Sequence, residues 1–369
     1  MPRRSSPGAG HSGRAGPTSA SRPSPAARSR ASPFSQTLRT AGERGVLRSL
    51  RPYLSPASGP LEIGAREDDD AAVWRTEPGR VVATVDTMVE GIDFRLDWPA
   101  YPFRLLGRRL MAINLSDLAA MGAQPRHALI SLCLPGRVRL RDVRELYRGI
   151  GERARAAGCT VAGGDLSGID GPIVLTAALF GTIRPGRRPL RRSGARSGWA
   201  LAVTGTVGRA AAGIGLLLAE KQPKTSAERR WVRAVYDPQP RVEAAQILQS
   251  VGIRVAGDIS DGLYREIERI AQPAGLGAVV EADQLPLDAD LRRSRKHAWA
   301  GGLMESEDYE LLCAAPRPLL EAARRRLRRD LDLQLSIIGT LERGRGIRVR
   351  VDGKLVVIPS LGAGYEHFR

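Results

Sequence analysis

From residue 81 to residue 358 the chain alternates between short apolar runs and longer amphipathic stretches. The runs VVATVD, HALISLCL, IVLTAALFGTI, ALAVTG, RVAGDIS, AVVEA, YELLCAA and LSIIGTL have the length and apolar character of strands. A final segment, GIRVRVDGKLVVI, folds back through Asp352-Gly353, a dipeptide suited to a two-residue hairpin turn that needs positive φ. Helical periodicity separates several of these runs, so the expected class is mixed α/β. A short amphipathic helix is expected earlier, over GERGVLRSLRPYL at 42–54, and the Pro, Gly and Arg cluster at 184–198 marks the best internal boundary.

One helix carries a charge on the wrong side. In FRLLGRRLMAINLSDLAAMGA the residues Leu106, Leu110, Ile113, Asp117 and Ala120 recur at helical spacing, which puts Asp117 on the apolar face. The alternative is a break near Asn114, with Ser116-Asp117 capping a second short helix. Asp86, Asp165 and Asp258 each end an apolar strand, the position where α/β proteins place ligand chemistry. In AGDISDGLYREIERIA, Asp258, Ser260 and Asp261 precede a helix with the apolar stripe Leu263, Ile267, Ile270 and Ala271. Ser260 or Asp261 is suited to cap that helix, and Gly262 lets a phosphate or a backbone come close. Two carboxylates on one turn are good ligands for a hard cation, and Mg²⁺ takes one or two of them together with phosphate oxygens. REDDDAAV, at 66–73, sets four carboxylates in succession, Glu67, Asp68, Asp69 and Asp70, which reads either as a solvated loop or as a cation site.

Composition narrows the classes. At 369 residues the chain suits two domains of ~150 residues each. It has neither an apolar run of ~18 residues nor an apolar secretory leader, so a cytoplasmic protein without a membrane partner is expected. Cys133, Cys159 and Cys313 lack CxxC spacing and fit reduced core thiols. The net charge of +18 invites a nucleic-acid reading, but +7 of it lies in residues 1–45, a Ser, Pro, Ala, Gly and Arg stretch that cannot bury a core. Arg outnumbers Lys 53 to 4, a compositional habit more than a binding face. Residues 1–41 are therefore expected to be a disordered, dispensable extension, with nucleic-acid contact or organelle targeting as alternatives. No GxxxxGK[ST] loop and no HxD catalytic loop occurs, so a nucleotide would have to be held by carboxylate-bound Mg²⁺ and arginine.

The segments DDAAV, VDTMVEGIDF, INLSDLAAMGAQP, VAGGDLSG, RSGARSG, VTGTVGRAAAGIGLLL, DISDGL, SEDYELL and GYEHF resemble, in order, the motif series of the thiamine-monophosphate kinase family from about residue 42 to the end. The wider superfamily includes aminoimidazole ribonucleotide synthetase, selenophosphate synthetase and a hydrogenase-maturation dehydratase. The chain has neither the N-terminal Cys or selenocysteine of the second nor the C-terminal Cys of the third. The resemblance implies a two-domain aminoimidazole ribonucleotide synthetase-like α/β (α+β) fold. Residues 42–184 would form an N-terminal ATP- and Mg²⁺-binding domain that dimerises through its sheet, and 185–369 a C-terminal α/β domain completing the site. It implies ATP-dependent phosphorylation of thiamine monophosphate with several Mg²⁺ ions. By the same resemblance Asp69, Thr84, Asp86, Asp117, Asp258 and Asp261 are metal ligands, with Asp117, Asp258 and Asp261 catalytic. Gly164, Asp165, Arg192 and Ser260 contact ATP, and Asp93, Glu307 and Tyr365 contact the acceptor.

The chain departs from the family pattern in three places. Asp93 stands where a histidine is usual, Ser306 where a glycine is usual, and Gly198-Trp199 where Gly-Asp is usual. The first lies on the acceptor side, and the other two read as structural. The rival readings are another ATP-dependent enzyme of the same superfamily with a different acceptor, and a catalytically silent metal- or nucleic-acid-binding protein.

Overall fold

Alternation decides the first sheet. In a computed structural model, which describes residues 61–63, 69–70, 72–76, 79–98, 102–294, 298–305 and 307–357, it comprises β1 (Leu61–Ile63), β2 (Ala72–Thr76), β3 (Gly79–Val89), β4 (Gln124–Leu134), β5 (Thr160–Gly168) and β6 (Val174–Ile183). The expected tail at 1–41, the helix at 42–54 and Tyr365 lie outside the described residues. The strand order is β1-β2-β3-β6-β4-β5, antiparallel except for the parallel β4–β5 pair. Every second side chain of β6 is buried, and Val82 and Met88 of β3 are buried on the same period, so Thr84 and Asp86 between them continue a row that faces inward.

That inner face is covered by two helices, α1 (Phe103–Ala120) and α2 (Leu140–Ala156). Helix α1 is buried almost all round because it is covered from both sides, by α2, β3 and β6 on one and by elements of the second half on the other. It runs unbroken through Asn114, so the alternative with a break there does not hold: Asn114 Nδ2 donates back to Leu110 O at 3.0 Å within the helix.

The second half is built on a seven-stranded sheet of β7 (Ala200–Thr204), β8 (Val255–Asp258), β9 (Leu276–Glu281), β10 (Leu311–Ala315), β11 (Leu335–Arg343), β12 (Ile347–Val351) and β13 (Lys354–Val357). Its order is β13-β12-β9-β11-β7-β10-β8, and its strands pair antiparallel except β12 with β9. The expected hairpin turns at Asp352-Gly353, both with positive φ. Helices α3 (Arg209–Leu218), α4 (Ser226–Tyr236), α5 (Val242–Ser250), α6 (Leu263–Ala271), α7 (Ala289–Ser294), α8 (Ala298–Met304) and α9 (Arg317–Leu331) complete this half. The class is thus mixed α/β, but the expectation that three aspartates end their strands needs correction. Only Asp258 does so; β3 continues past Asp86 to Val89, and β5 past Asp165 to Gly168. Ladder pairing, such as Asp86 with Ala177 and Asp165 with Ser131, carries both strands beyond the acid.

Candidate active site

Where α1 meets both halves, a cleft of about 610 Å³ opens. Strand β3 lines it with Thr84 and Asp86, α1 with Asp117, the segment before β2 with Asp69 and Asp70, the end of β8 with Asp258, and the loop from β8 to α6 with Ser260 and Asp261. Arg192, Asp93 and Glu307 also line it, so most of the expected site residues converge from distant parts of the chain. The inward row of β3 and the inner face of α1 are what bring them together. Thr84 Oγ1 donates to Asp117 Oδ2 at 2.5 Å, the Asp86 amide donates to Asn114 Oδ1 at 3.1 Å, and Ser116 Oγ donates to Asp258 Oδ2 at 2.7 Å.

Carboxylate oxygens of Asp70, Asp117 and Asp258 lie within 4.8 Å of one another. Among the described residues, Asp70 Oδ2 and Asp258 Oδ1 are buried with no hydrogen-bond partner. Buried acceptors without donors are costly unless a cation fills the space, and oxygen donors in this arrangement fit a hard divalent ion. Burial pushes Asp69 up to about 6, against the pull of Arg192. Burial, reinforced by Asp258, pushes Asp86 up to about 6 as well. Asp117 is raised well above its ordinary value by burial and then by Asp86 and Asp258. Loss of water is the main cause of these shifts, and at Asp86 and Asp117 the neighbouring carboxylates add to it.

Asp70 is the residue that sequence reasoning passed over. The neighbouring Asp69 accepts from the Arg192 amide at 3.2 Å, while Asp70 enters the cluster beside Asp117 and Asp258. The pair DD announces both equally, and only the backbone path decides which one points where. Tyr309 was missed too: it is a cleft-lining phenol on a residue with φ of +53°, unusual for a residue with a Cβ. Its neighbours explain the conformation, because each is claimed by a different partner. Asp308 accepts from the amides of Gly208 and Ala210, and Glu310 from Thr204 Oγ1 at 2.7 Å and Arg241 Nε at 2.6 Å.

Around the cluster, Arg192 donates to Glu266 and Asp70, and Arg269 Nη2 donates to Asp261 Oδ2 at 2.9 Å. The expected cap on α6 is corrected: neither Ser260 nor Asp261 caps it. Gly262 holds the N-cap position with φ of +106° and no side-chain cap, which leaves both polar side chains to the cleft. Elsewhere in the cleft, Arg109 joins the two halves, donating from Nη1 to Asp93 O at 2.8 Å and from Nη2 to Glu307 Oε2 at 3.3 Å. The Asp93 carboxylate accepts from the Val89 amide at 2.7 Å. Gly164 and Asp165 stand apart. They lie on edge strand β5, three places from β3 in the sheet, or ~14 Å at the usual strand spacing, and Asp165 accepts from Ser167 on the exposed surface at 3.0 Å. Within one chain the structure does not bring them to this cleft.

The model for the AIR synthase related protein N-terminal domain matches residues 68–183, and that for the AIR synthase related protein C-terminal domain matches 196–352. The thiamine-monophosphate kinase of Synechococcus elongatus is 33% identical over 90% of this chain and 98% of its own length. That of Rhodopirellula baltica is 37% identical over 67% of this chain and 75% of its own. The solved structure of AaThiL complexed with AMPPCP and TMP superposes with a TM-score of 0.77 at 29% identity, covering 90% of this chain and 99% of that one.

Proposed function

The chain belongs to the thiamine-monophosphate kinase family of AIR synthase related proteins, and from that premise we propose that it transfers the γ-phosphoryl group of ATP to thiamine monophosphate, giving thiamine diphosphate and ADP. The observation that carries the reading is the cluster of half-buried Asp70 and Asp117 with buried Asp258, in which Asp70 Oδ2 and Asp258 Oδ1 have no hydrogen-bond partner, at the cleft where both halves meet. An acceptor phosphate has its second pKa near ~6 and is already largely anionic at neutral pH, so none of these aspartates has to act as a base. The obstacle is repulsion, ~4 kcal/mol for each pair of unit charges 4 Å apart at an effective dielectric of 20. Mg²⁺, when bound, supplies the charge that offsets this repulsion and polarises the phosphoryl oxygens.

Asp70, Asp117 and Asp258 would hold one such ion, and Asp69, Thr84, Asp86 and Asp261 surround the places for others. Arg192 and Ser260 face the nucleotide phosphates. Asp93 and Glu307, tied to each other through Arg109, bound the acceptor end. A homodimer completes the reading. The outer face of the six-stranded sheet exposes Val85 and Leu129, and Asp165 sits in the same cross-strand row as Thr87, Thr176 and Ser131, the face on which a second copy would dock. No helix among the described residues is long and apolar enough to cross a membrane, and we place the reaction in the cytoplasm.

Purified protein given ATP, Mg²⁺ and a panel of phosphorylated acceptors should form ADP and thiamine diphosphate in equal amounts from thiamine monophosphate. Preference for another acceptor would transfer the chain to a different reaction of the superfamily.

A further inference from the structure

Glu266 sits in the first turn of α6, 1% exposed and outside the cleft lining. It receives two bonds from one guanidinium, Arg192 Nε to Oε1 at 2.8 Å and Nη2 to Oε2 at 3.1 Å. Room for this carboxylate is cut from the adjacent strand, since a Cβ on Gly257 would fall 1.7 Å from Glu266 Oε1. The same guanidinium donates from Nη2 to Asp70 and lies 3.9 Å from Asp258 Oδ1, two of the clustered carboxylates. An arginine free to move there would be drawn further into the cluster and would compete with any cation. A two-point carboxylate contact fixes both the place and the orientation of a guanidinium.

We propose that Glu266 is a positioning residue that holds Arg192 at the rim of the carboxylate cluster, oriented toward the nucleotide phosphates and kept from taking the cation's place. The inference rests on the ATP-binding reading above and deepens it: Glu266 acts on the nucleotide through Arg192, while its longer ion pair, Arg269 Nη1 to Oε2 at 3.7 Å, is left in place by Arg192→Gln.

The test is a double-mutant cycle on the full chain, read by calorimetric titration of AMPPCP in the presence of Mg²⁺. Glu266→Gln should weaken AMPPCP binding ~10-fold or more, in line with loss of a charge-assisted contact. In an Arg192→Gln background the same substitution should cost several-fold less affinity than in the wild type, because its main route of action is gone and only the 3.7 Å pair with Arg269 remains. Glu266→Asp keeps the charge but withdraws it by one methylene, and should fall between the wild type and Glu266→Gln. It carries the cycle if Glu266→Gln does not fold. An equal loss in both backgrounds, or unchanged affinity in Glu266→Gln, would overturn the proposal. Titration needs no acceptor, so failure to phosphorylate thiamine monophosphate would sink only the acceptor assignment. A wild-type chain that bound no AMPPCP would overturn both readings.

Discussion

Two ionic clusters in this protein, one at the end of α4 and one in the cleft, are built on opposite plans. At the end of α4, the Asp237 side chain is 1% exposed and accepts from Arg108 at 2.9 Å, from Arg153 and from Arg233. Burial pushes its pKa up, yet the three arginines outweigh burial and hold it below the usual range. In the cleft the ratio is inverted: Asp69, Asp70, Asp86, Asp117, Asp258 and Asp261 face Arg192 and Arg269, and the carboxyls of Asp69, Asp70, Asp86 and Asp117 are raised. A cluster with cations in excess is finished by folding and ties α1, α2 and α4 together. A cluster with anions in excess is left with charge that a cation from outside the chain would offset.

The sharpest way to break this contrast is to remove one charge from each cluster. Asp117→Asn should lower kcat/KM on the order of 10³-fold, ~4 kcal/mol of transition-state stabilisation, while the metal-free melting temperature stays level or rises because repulsion with Asp86 and Asp258 is relieved. A marked fall in melting temperature would show that Asp117 belongs to the structural kind of cluster.

Asp237→Asn should do the reverse. Leaving three arginines around a neutral side chain is expected to cost ~3–5 kcal/mol of stability, read by urea unfolding, with turnover per folded molecule unchanged. A selective loss of turnover at full stability would move Asp237 to the functional side.

Mg²⁺ should distinguish the clusters without mutation. At a hundredfold excess over its dissociation constant a ligand specific for the native state adds ~2.7 kcal/mol, so the melting temperature should rise in wild type and in Asp237→Asn, and much less in Asp117→Asn. Equal responses in all three would place the cation elsewhere.

Titration should tilt the clusters oppositely. Folded Asp69 and Asp86 keep protons up to about 6, whereas their unfolded counterparts lose them near 3.8, so the metal-free protein should lose stability as pH rises through that window. Asp237 is lowered in the fold, so its contribution is present above 3.8 and lost as pH falls below it. Melting curves between pH 4 and 7 should therefore fall less steeply in Asp86→Asn or with saturating Mg²⁺. An unchanged slope under both treatments would mean that the cleft carboxyls titrate normally.

The smallest effect is expected at Asp93, whose carboxylate already accepts from Val89 and whose carbonyl is held by Arg109. Asp93→His should move the KM for thiamine monophosphate by ~3- to 10-fold and leave half-saturating Mg²⁺ in place. A shift in the Mg²⁺ requirement instead would draw Asp93 into the metal-binding set.

Local pattern was enough for much of this. Short apolar runs announced β3, β4 and β6, helical spacing placed Asp117 on the apolar face of α1, and DISDGL identified Asp258 and Asp261 as carboxylates beside a helix start. The short β1 and β2 gave no comparable signal. What only the tertiary structure decided depends on partners far away in the chain. Asp70 enters the cluster beside Asp117 and Asp258, Ser116 meets Asp258 across 142 residues, and Arg192 meets Glu266 across 74. Gly262 takes the cap position that Ser260 or Asp261 was suited to hold, and Asp165 is carried to an outer edge by the order of the strands. Propensity and periodicity act within a few residues. Burial and Coulomb energy depend on distances in space, and those exist only once both sheets have closed on α1.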